Sequence, residues 1–466
     1  MFSTIKPGIG ERPLRASGRT LGFAIALAAL LAFSSVLAAA QAAGSLDPSF
    51  GTGGIASTTL AEGAVPLGGF QQPSGDIVVI AVVEAPDTAD QDIGLVRFTP
   101  SGKLDSSFGT NGSTLTELPG GLSVTAGAFA VQPNGDILVG GTALIYSEDN
   151  APNIYALVRY TPNGLLDPTF GNGGIVTTNF GTQQNALSAL LIQPNGQIVA
   201  AGFETSVSRG VSGQTALVRY NSNGSLDTTF GTSGIVQERS TLITPTALAL
   251  LSNGDYLAIG PAILGAINEV EFTSAGALVS PVTAGAITAT GTGGSPSILF
   301  EPDGEYLAAG EALPPPGTAP PGFGFPRGSF DAQVQLFTET GTADSSFTST
   351  PFTYVPITSK NLATQNVSEA TALAFQANGQ IVVGGSLSGT GILATTVFAL
   401  ERLNSNGMID TSFGSGGGVT TAISGSAEAS VNSLLVEPNG DIVAIGGVLM
   451  KSTQAQDIVL ARYLAN

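Results

Sequence analysis

Seven stretches of the chain repeat one pattern of apolar and polar positions: an apolar run, a short polar turn carrying glycine, and a second apolar run. The pattern is clearest in AFAVQPNGDILVGG, ALLIQPNGQIVAAG and SLLVEPNGDIVAIGG, and it persists in GGFQQPSGDIVVI, ALALLSNGDYLAIG, SILFEPDGEYLAAG and ALAFQANGQIVVGG. Short apolar runs bounded by such turns are the signal of β-hairpins. Asn-Gly and Asp-Gly accept positive φ at both central positions, which predicts two-residue type I′ turns here. The turn glycines Gly75, Gly135, Gly196, Gly254, Gly304, Gly379 and Gly440 stand 60, 61, 58, 50, 75 and 61 residues apart, the regularity of a repeated module.

Each hairpin except the last leads into a third strand, a second turn and a short fourth strand, as in ALVRYTPNGLLDPTFGNGGIVTT and ALVRYNSNGSLDTTFGTSGIVQ. Four such strands make one propeller blade. The first strands are apolar at nearly every position, which places them nearest the core, whereas Ala156 to Tyr160 alternate and predict one buried and one partly polar face. The seventh unit stops at Arg462-Tyr463-Leu464-Ala465-Asn466, and the missing part stands at the other end, as Gly44-Ser45-Leu46-Asp47-Pro48-Ser49-Phe50-Gly51. Joined, RYLAN and GSLDPSFG read like RYNSNGSLDTTFG at 219–231. An open solenoid would keep its ends apart behind polar caps, whereas a closed ring removes its sheet edges. The expectation is an all-β, seven-bladed β-propeller over residues 44–466, four antiparallel strands per blade, with residues 44–60 completing a last blade begun by 430–466.

Strands ending in VRY, then Asn-Gly, then LD-x-x-FG-x-x-G, then QPNGDILVGG resemble the bacterial delta-60 repeat, a β-propeller domain of unknown function found in tandem in exported proteins. The resemblance runs from Gly44 to Asn466 and implies a propeller in an envelope or extracellular setting, with no catalytic residues to carry over. The fourth unit departs from it, with EFTSAGALVSPV in place of RYNSNGSLDTTF, and the fifth departs more mildly, with LFTETGTADSSFT.

Three residue types recur around the second turn. Arg97, Arg159, Arg219, Arg402 and Arg462 stand five before its glycine; Asp47, Asp105, Asp167, Asp227, Asp344 and Asp410 stand three after; Phe50, Phe108, Phe170, Phe230, Phe347 and Phe413 stand six after. In the fourth unit Glu271, Val279 and Val282 take these places, so the acid disappears with the base; Leu336 beside Asp344 is the exception. The pattern predicts an Arg–Asp pair across the turn with Phe packed between blades, and a repeated ligand site is the alternative. The first-turn acids Asp76, Asp136, Asp255, Glu305 and Asp441 lack the dense spacing that calcium requires, and Gln197 and Gln380 replace the acid in two units, so polar turn residues are expected rather than a metal site.

Composition narrows the chemistry further. With no Cys, His or Trp, the chain has no disulfide, no thiolate or imidazole metal ligand and no histidine proton shuttle. A pair of carboxylates in the central channel would suffice for glycoside cleavage, but nothing in the sequence marks one. Lys6, Arg12, Arg15 and Arg19, an apolar stretch from Leu21 to Ala40 and the small residues Ala38 to Ala43 read as a signal peptide over 1–43, cut just before Gly44 or a few residues earlier. Its removal takes four bases and one acid from fifteen and thirty-four, leaving eleven against thirty-three and a net charge near −22. Nucleic acid and anionic lipid are poor partners for such a chain.

The variable segments Ile145 to Asn153, Glu204 to Gln214, Ala312 to Phe330, Ser386 to Thr396 and Met450 to Gln456 fall on the face opposite the turns, where binding residues normally lie. The Pro-rich stretch between Ala312 and Phe330 reads as a disordered insertion or as a contact arm bearing Phe323, Phe325 and Phe330. The functional expectation is an exported, noncatalytic, monomeric scaffold that binds protein or glycan without catalytic, cofactor-binding or metal-ligating residues and without membrane insertion. The alternatives are a carboxylate-based hydrolase or lyase and a purely structural surface protein.

Overall fold

The structure, a computed structural model, describes residues 41–61, 63–84, 90–144, 153–179, 184–206, 211–238, 243–261, 267–282, 297–301, 304–312, 331–338, 341–347, 353–355, 368–388 and 395–466. These hold strands and turns and no helix. The signal-peptide assignment therefore lies almost wholly outside the described residues, as does the Pro-rich stretch 313–330.

First in the chain but last in the ring comes β1 (Ile55–Thr58). Blade 1 is β2 (Ala64–Gln71), β3 (Ile77–Glu84), β4 (Gln91–Phe98) and β5 (Ser113–Thr116), and blade 2 is β6 (Ser123–Val131), β7 (Ile137–Leu144), β8 (Ile154–Tyr160) and β9 (Ile175–Thr178). Blade 3 is β10 (Gln184–Ile192), β11 (Ile198–Ser206), β12 (Val211–Tyr220) and β13 (Ile235–Glu238), and blade 4 is β14 (Ala247–Leu250), β15 (Tyr256–Pro261), β16 (Ile267–Phe272) and β17 (Leu278–Val282). Blade 5 is β18 (Ser297–Phe300), β19 (Tyr306–Ala312), β20 (Asp331–Phe337) and β21 (Thr353–Val355), and blade 6 is β22 (Ser368–Phe375), β23 (Ile381–Ser388), β24 (Thr396–Leu403) and β25 (Gly418–Thr421). In blade 7, β26 (Ser426–Val436), β27 (Ile442–Met450) and β28 (Gln456–Tyr463) are completed by β1, which pairs antiparallel with β28. The first strand of each sheet is innermost and touches the first strands of both neighbouring blades, so seven four-stranded antiparallel sheets close into a propeller.

The closing joint repeats the geometry of an ordinary second turn. In blade 3, Gly224 N–H donates to Asn221 O and Asn221 N–H to Ser225 O; at the joint, Gly44 N–H donates to Leu464 O and Leu464 N–H to Ser45 O. The carbonyl that Asn223 offers to Gly171 N–H of blade 2 comes at the joint from Ala43, which accepts from Gly414 N–H of blade 6 at 2.9 Å. Ala43, not Asn466, is thus the residue that replaces the turn asparagine.

Three expectations are corrected. The first turns are not type I′: Gly75 N–H bonds to Gln72 O and Gln72 N–H to Asp76 O, with positive φ on the glycine and not on the residue before it. This is a type I turn closed by a left-handed glycine, a three-residue hairpin loop; Pro73, Pro133, Pro194 and Pro438 suit its first central position, where proline fixes φ near −65°, and Ser252 and Ala377 adopt the same turn without proline. The innermost strands are not the most buried; β2 and β6 are partly exposed, while β3 and β7 are almost wholly buried, because nothing covers the innermost strand on its axial side. Lastly, β8 has no partly exposed face, since blades pack against both of its sides and even Arg159 is buried.

Candidate functional site

The recurrent Arg, Asp and Phe converge in every unit that has all three. Arg97, Arg159, Arg219, Arg402 and Arg462 pair with Asp105, Asp167, Asp227, Asp410 and Asp47 at 2.7, 2.8, 2.8, 2.8 and 2.6 Å. Each guanidinium also lies over the ring of its Phe, with 4.5 Å from Arg159 to the Phe170 centroid and 4.8 Å from Arg97 to that of Phe108. The third contact crosses to the next blade, where Nη1 donates to a second-turn carbonyl: Arg462 to Pro100, Arg97 to Pro162, Arg159 to Ser222, Arg219 to Ser274 and Arg402 to Ala465. The glycine after each of these Phe residues donates its N–H into the same neighbouring turn, as Gly171 does to Asn223 O at 2.9 Å. That turn's own glycine must lack a side chain, since a Cβ on Gly276 would sit 2.9 Å from the Phe230 ring. The triplet is an inter-blade clamp rather than a ligand site.

The carboxylates are held ionised. Burial raises the pKa of Asp167, but the N–H and hydroxyl of Thr169 and the charge of Arg159 outweigh it and lower the value below the ordinary 3.8. Asp47, Asp105, Asp227 and Asp410 are lowered in the same way, by Ser49, Ser107, Thr229 and Ser412 together with their arginines.

Blade 4 lacks the triplet and joins blade 5 differently. Tyr306 donates its hydroxyl to the buried Glu269 carboxylate, which lies against Gly341, where Phe rings stand on the second-turn glycine in other blades. Between blades 5 and 6 Phe347 still lies against Gly407, but Leu336 replaces the arginine. Blade 6 carries Glu401 where other blades carry Val96, Val158 or Val218; burial pushes its carboxyl up to about 8.

The first-turn acids stay within their own blade, and Asp255 and Asp441 also accept the Ser274 and Ala465 N–H of its second turn. Asp136, Asp255 and Asp441 accept from the amides of Asn134, Asn253 and Asn439, and Gln197 and Gln380 donate to Asp227 and Asp410. Among the described residues, no group of three or more acids could hold a metal ion.

The opposite face is different. A recess of about 340 Å³ opens there between blades 6, 7 and 1, lined by Ser386, Thr396, Glu428, Ser430, Asn432 and Gln456 among others. Ser386, Thr396 and Gln456 belong to the ends of two segments that sequence marked as variable; Ser430 and Asn432 were not foreseen. Their signal is the run SVNS, which puts polar residues just before the apolar Leu434, Leu435 and Val436 of an innermost strand, with Asn432 as the extra residue of a β-bulge. Of the remaining variable segments, 145–152 and 313–330 lie outside the described residues, and 204–214 spans the end of β11 and the start of β12, with 207–210 outside them.

Two outcomes follow from the clamp and its exception. Arg159→Ala should destabilise the chain by ~3 kcal/mol, because it strands a buried carboxylate, and adding Asp167→Ala should cost far less than the sum of the single losses in chemical denaturation; full additivity would disprove the pair. Glu401 acts through its neutral form, so its stabilisation is complete below the ordinary 4.5 and lost as pH rises through about 8. Glu401→Gln should therefore melt close to the unsubstituted protein at pH 4.5 and increasingly above it up to pH 8, and a constant difference would contradict the assignment.

Residues 72–108, 132–170, 193–230 and 376–413 match the family model of a β-propeller domain of unknown function, DUF5122. Each matched segment begins at the residue that opens the first turn and ends on the clamp phenylalanine. No curated protein matches the sequence. Among solved structures, an α-L-arabinanase of Penicillium chrysogenum is 12% identical, with a TM-score of 0.41 over 86% of this chain and 93% of that one. The polysaccharide lyase Uly1 is 9% identical, with a TM-score of 0.45 over 89% and 93%, and the propeller domain of the Trilobed protease from Pyrococcus furiosus is 6% identical, with 0.41 over 86% and 95%. Four of the seven repeated segments thus match a β-propeller domain of unknown function, and the distant structural neighbours include glycoside hydrolases and a lyase.

Proposed function

We propose that this chain is an exported, noncatalytic binding module of the delta-60 repeat type, which engages a protein or glycan through the face opposite its turns. One observation carries the reading. The turn face has a recess too, of about 510 Å³, but its clamp residues Arg159, Asp167 and Thr169 are bonded to one another and to Ser222, whereas the recess across the propeller presents hydroxyl, amide and carboxylate groups around about 340 Å³. Variable segments on a rigid frame are where binding usually resides. Cleavage of a glycoside needs two carboxylates, and the described lining holds Glu428 alone.

Export rests on residues 1–43. The Ala43 carbonyl, bonded to Gly414 N–H, takes the place of a turn asparagine, and Ala40-Gln41-Ala42 has the small-x-small form that a signal peptidase reads. These favour a cut between Ala42 and Ala43, which keeps the joint intact.

Capture from the secreted fraction tests the reading. Protein recovered from the medium or periplasm should begin at Ala43, and a partner or polymer held by it should be lost with Asn432→Ala but kept with the turn-face change Asn134→Ala. Equal capture by both variants would move the binding face elsewhere. Turnover of a polysaccharide, abolished by Glu428→Gln, would replace the binding module with a hydrolase or lyase.

A further inference from the structure

Resting on the binding-module reading, we propose that the recess between blades 6, 7 and 1 is a subsite for an uncharged saccharide. Its donors are set in advance by the backbone. Asn432 accepts Gly447 N–H through Oδ1 at 3.0 Å, which fixes the carboxamide and leaves its NH₂ as a donor in the lining. Thr396 Oγ1 accepts Ala429 N–H at 2.6 Å, so its own proton is free to be given. Ser386 and Ser430 add hydroxyls that both donate and accept. Alternating donors and acceptors on fixed backbone are the complement of a polyol.

The floor is open because it is glycine. A Cβ on Gly447 would lie 3.3 Å from Pro66 Cδ and 3.7 Å from Asn432 Oδ1, so a larger side chain there would fill the space beside the amide. Val65, 43% exposed, and Leu449 supply apolar surface for the C–H face of a sugar ring. Charge selects against acidic sugars: Glu428 is the one charged side chain in the described lining, and the chain as a whole carries −19. At 340 Å³ the recess stands at the small end of the range of ligand pockets, about 300–1,000 Å³, which suits the end of a chain or a disaccharide.

Calorimetric titration of the mature chain with maltose, cellobiose and xylobiose, against digalacturonate as the acidic control, tests the assignment. At least one neutral disaccharide should bind tenfold or more tightly than digalacturonate. Asn432→Ala and Gly447→Val should each weaken that binding at least tenfold; Glu428→Ala, which alters an exposed side chain, should weaken it without shifting the melting temperature and so separates lost contacts from lost folding. Binding unchanged in all three variants, equal binding of the acidic sugar, or no sugar binding at all would overturn the proposal. If no sugar binds while Asn432→Ala still abolishes capture from the secreted fraction, the recess remains the binding site and the saccharide assignment alone falls; if capture is also unaffected, both fall.

Discussion

The propeller depends on one interaction repeated around it: a guanidinium held by its own blade's aspartate and phenylalanine while it donates to a carbonyl of the next blade. A four-residue outer strand and a half-exposed inner strand bury too little for a blade to stand alone, so the sheets must pack face to face on their neighbours. Apolar packing between blades is non-directional and would tolerate sliding. The clamp fixes the offset, because a planar, forked cation can satisfy carboxylate, ring and carbonyl together in one arrangement. Tyr160, Tyr220 and Tyr463 add a second tie, bonding to Thr116, Thr178 and Thr421 of the preceding blade.

Closure is the same interaction applied to two chain ends. Arg462 near the C-terminus binds Asp47 near the N-terminus and reaches Pro100 O, and Glu437 stands 3.5 Å from its other side. A joint formed by residues some four hundred positions apart therefore has one more charged contact than its neighbours. The seams around blade 5 differ: one exchanges the clamp for a Tyr306–Glu269 bond, the other keeps the phenylalanine without the arginine. Blades 4 and 5 lie outside the family match, as does the split seventh unit, whose clamp is complete.

Much of this was legible in the chain. Glycines at near-constant spacing announced the blades, and the split between RYLAN and GSLDPSFG announced the joint. Pairing of Arg with Asp was legible because the acid vanished with the base in the fourth unit. The acceptor in the next blade was not, since a backbone carbonyl leaves no residue-type signature. Asn-Gly alone does not fix the turn type, because it also serves a three-residue loop in which the asparagine keeps negative φ and only the glycine is left-handed. The recess was only half visible: variable segments pointed to its rim, but its base depends on a bulge at Asn432 and a bare Gly447, which acquire meaning once strands from three blades are placed side by side.

The Arg–Asp–Phe clamps thus lie on the turn side, and the 340 Å³ recess on the other, where blades are also tied by bonds such as Ala429 N–H to Thr396 Oγ1. The most direct test of the cohesive role is amide hydrogen exchange in Arg159→Ala. Gly171 N–H, which bonds across to Asn223 O, should lose protection selectively, while amides paired within β7 and β8 remain slow. Unchanged protection at Gly171, or equal acceleration throughout the protein, would contradict an inter-blade clamp.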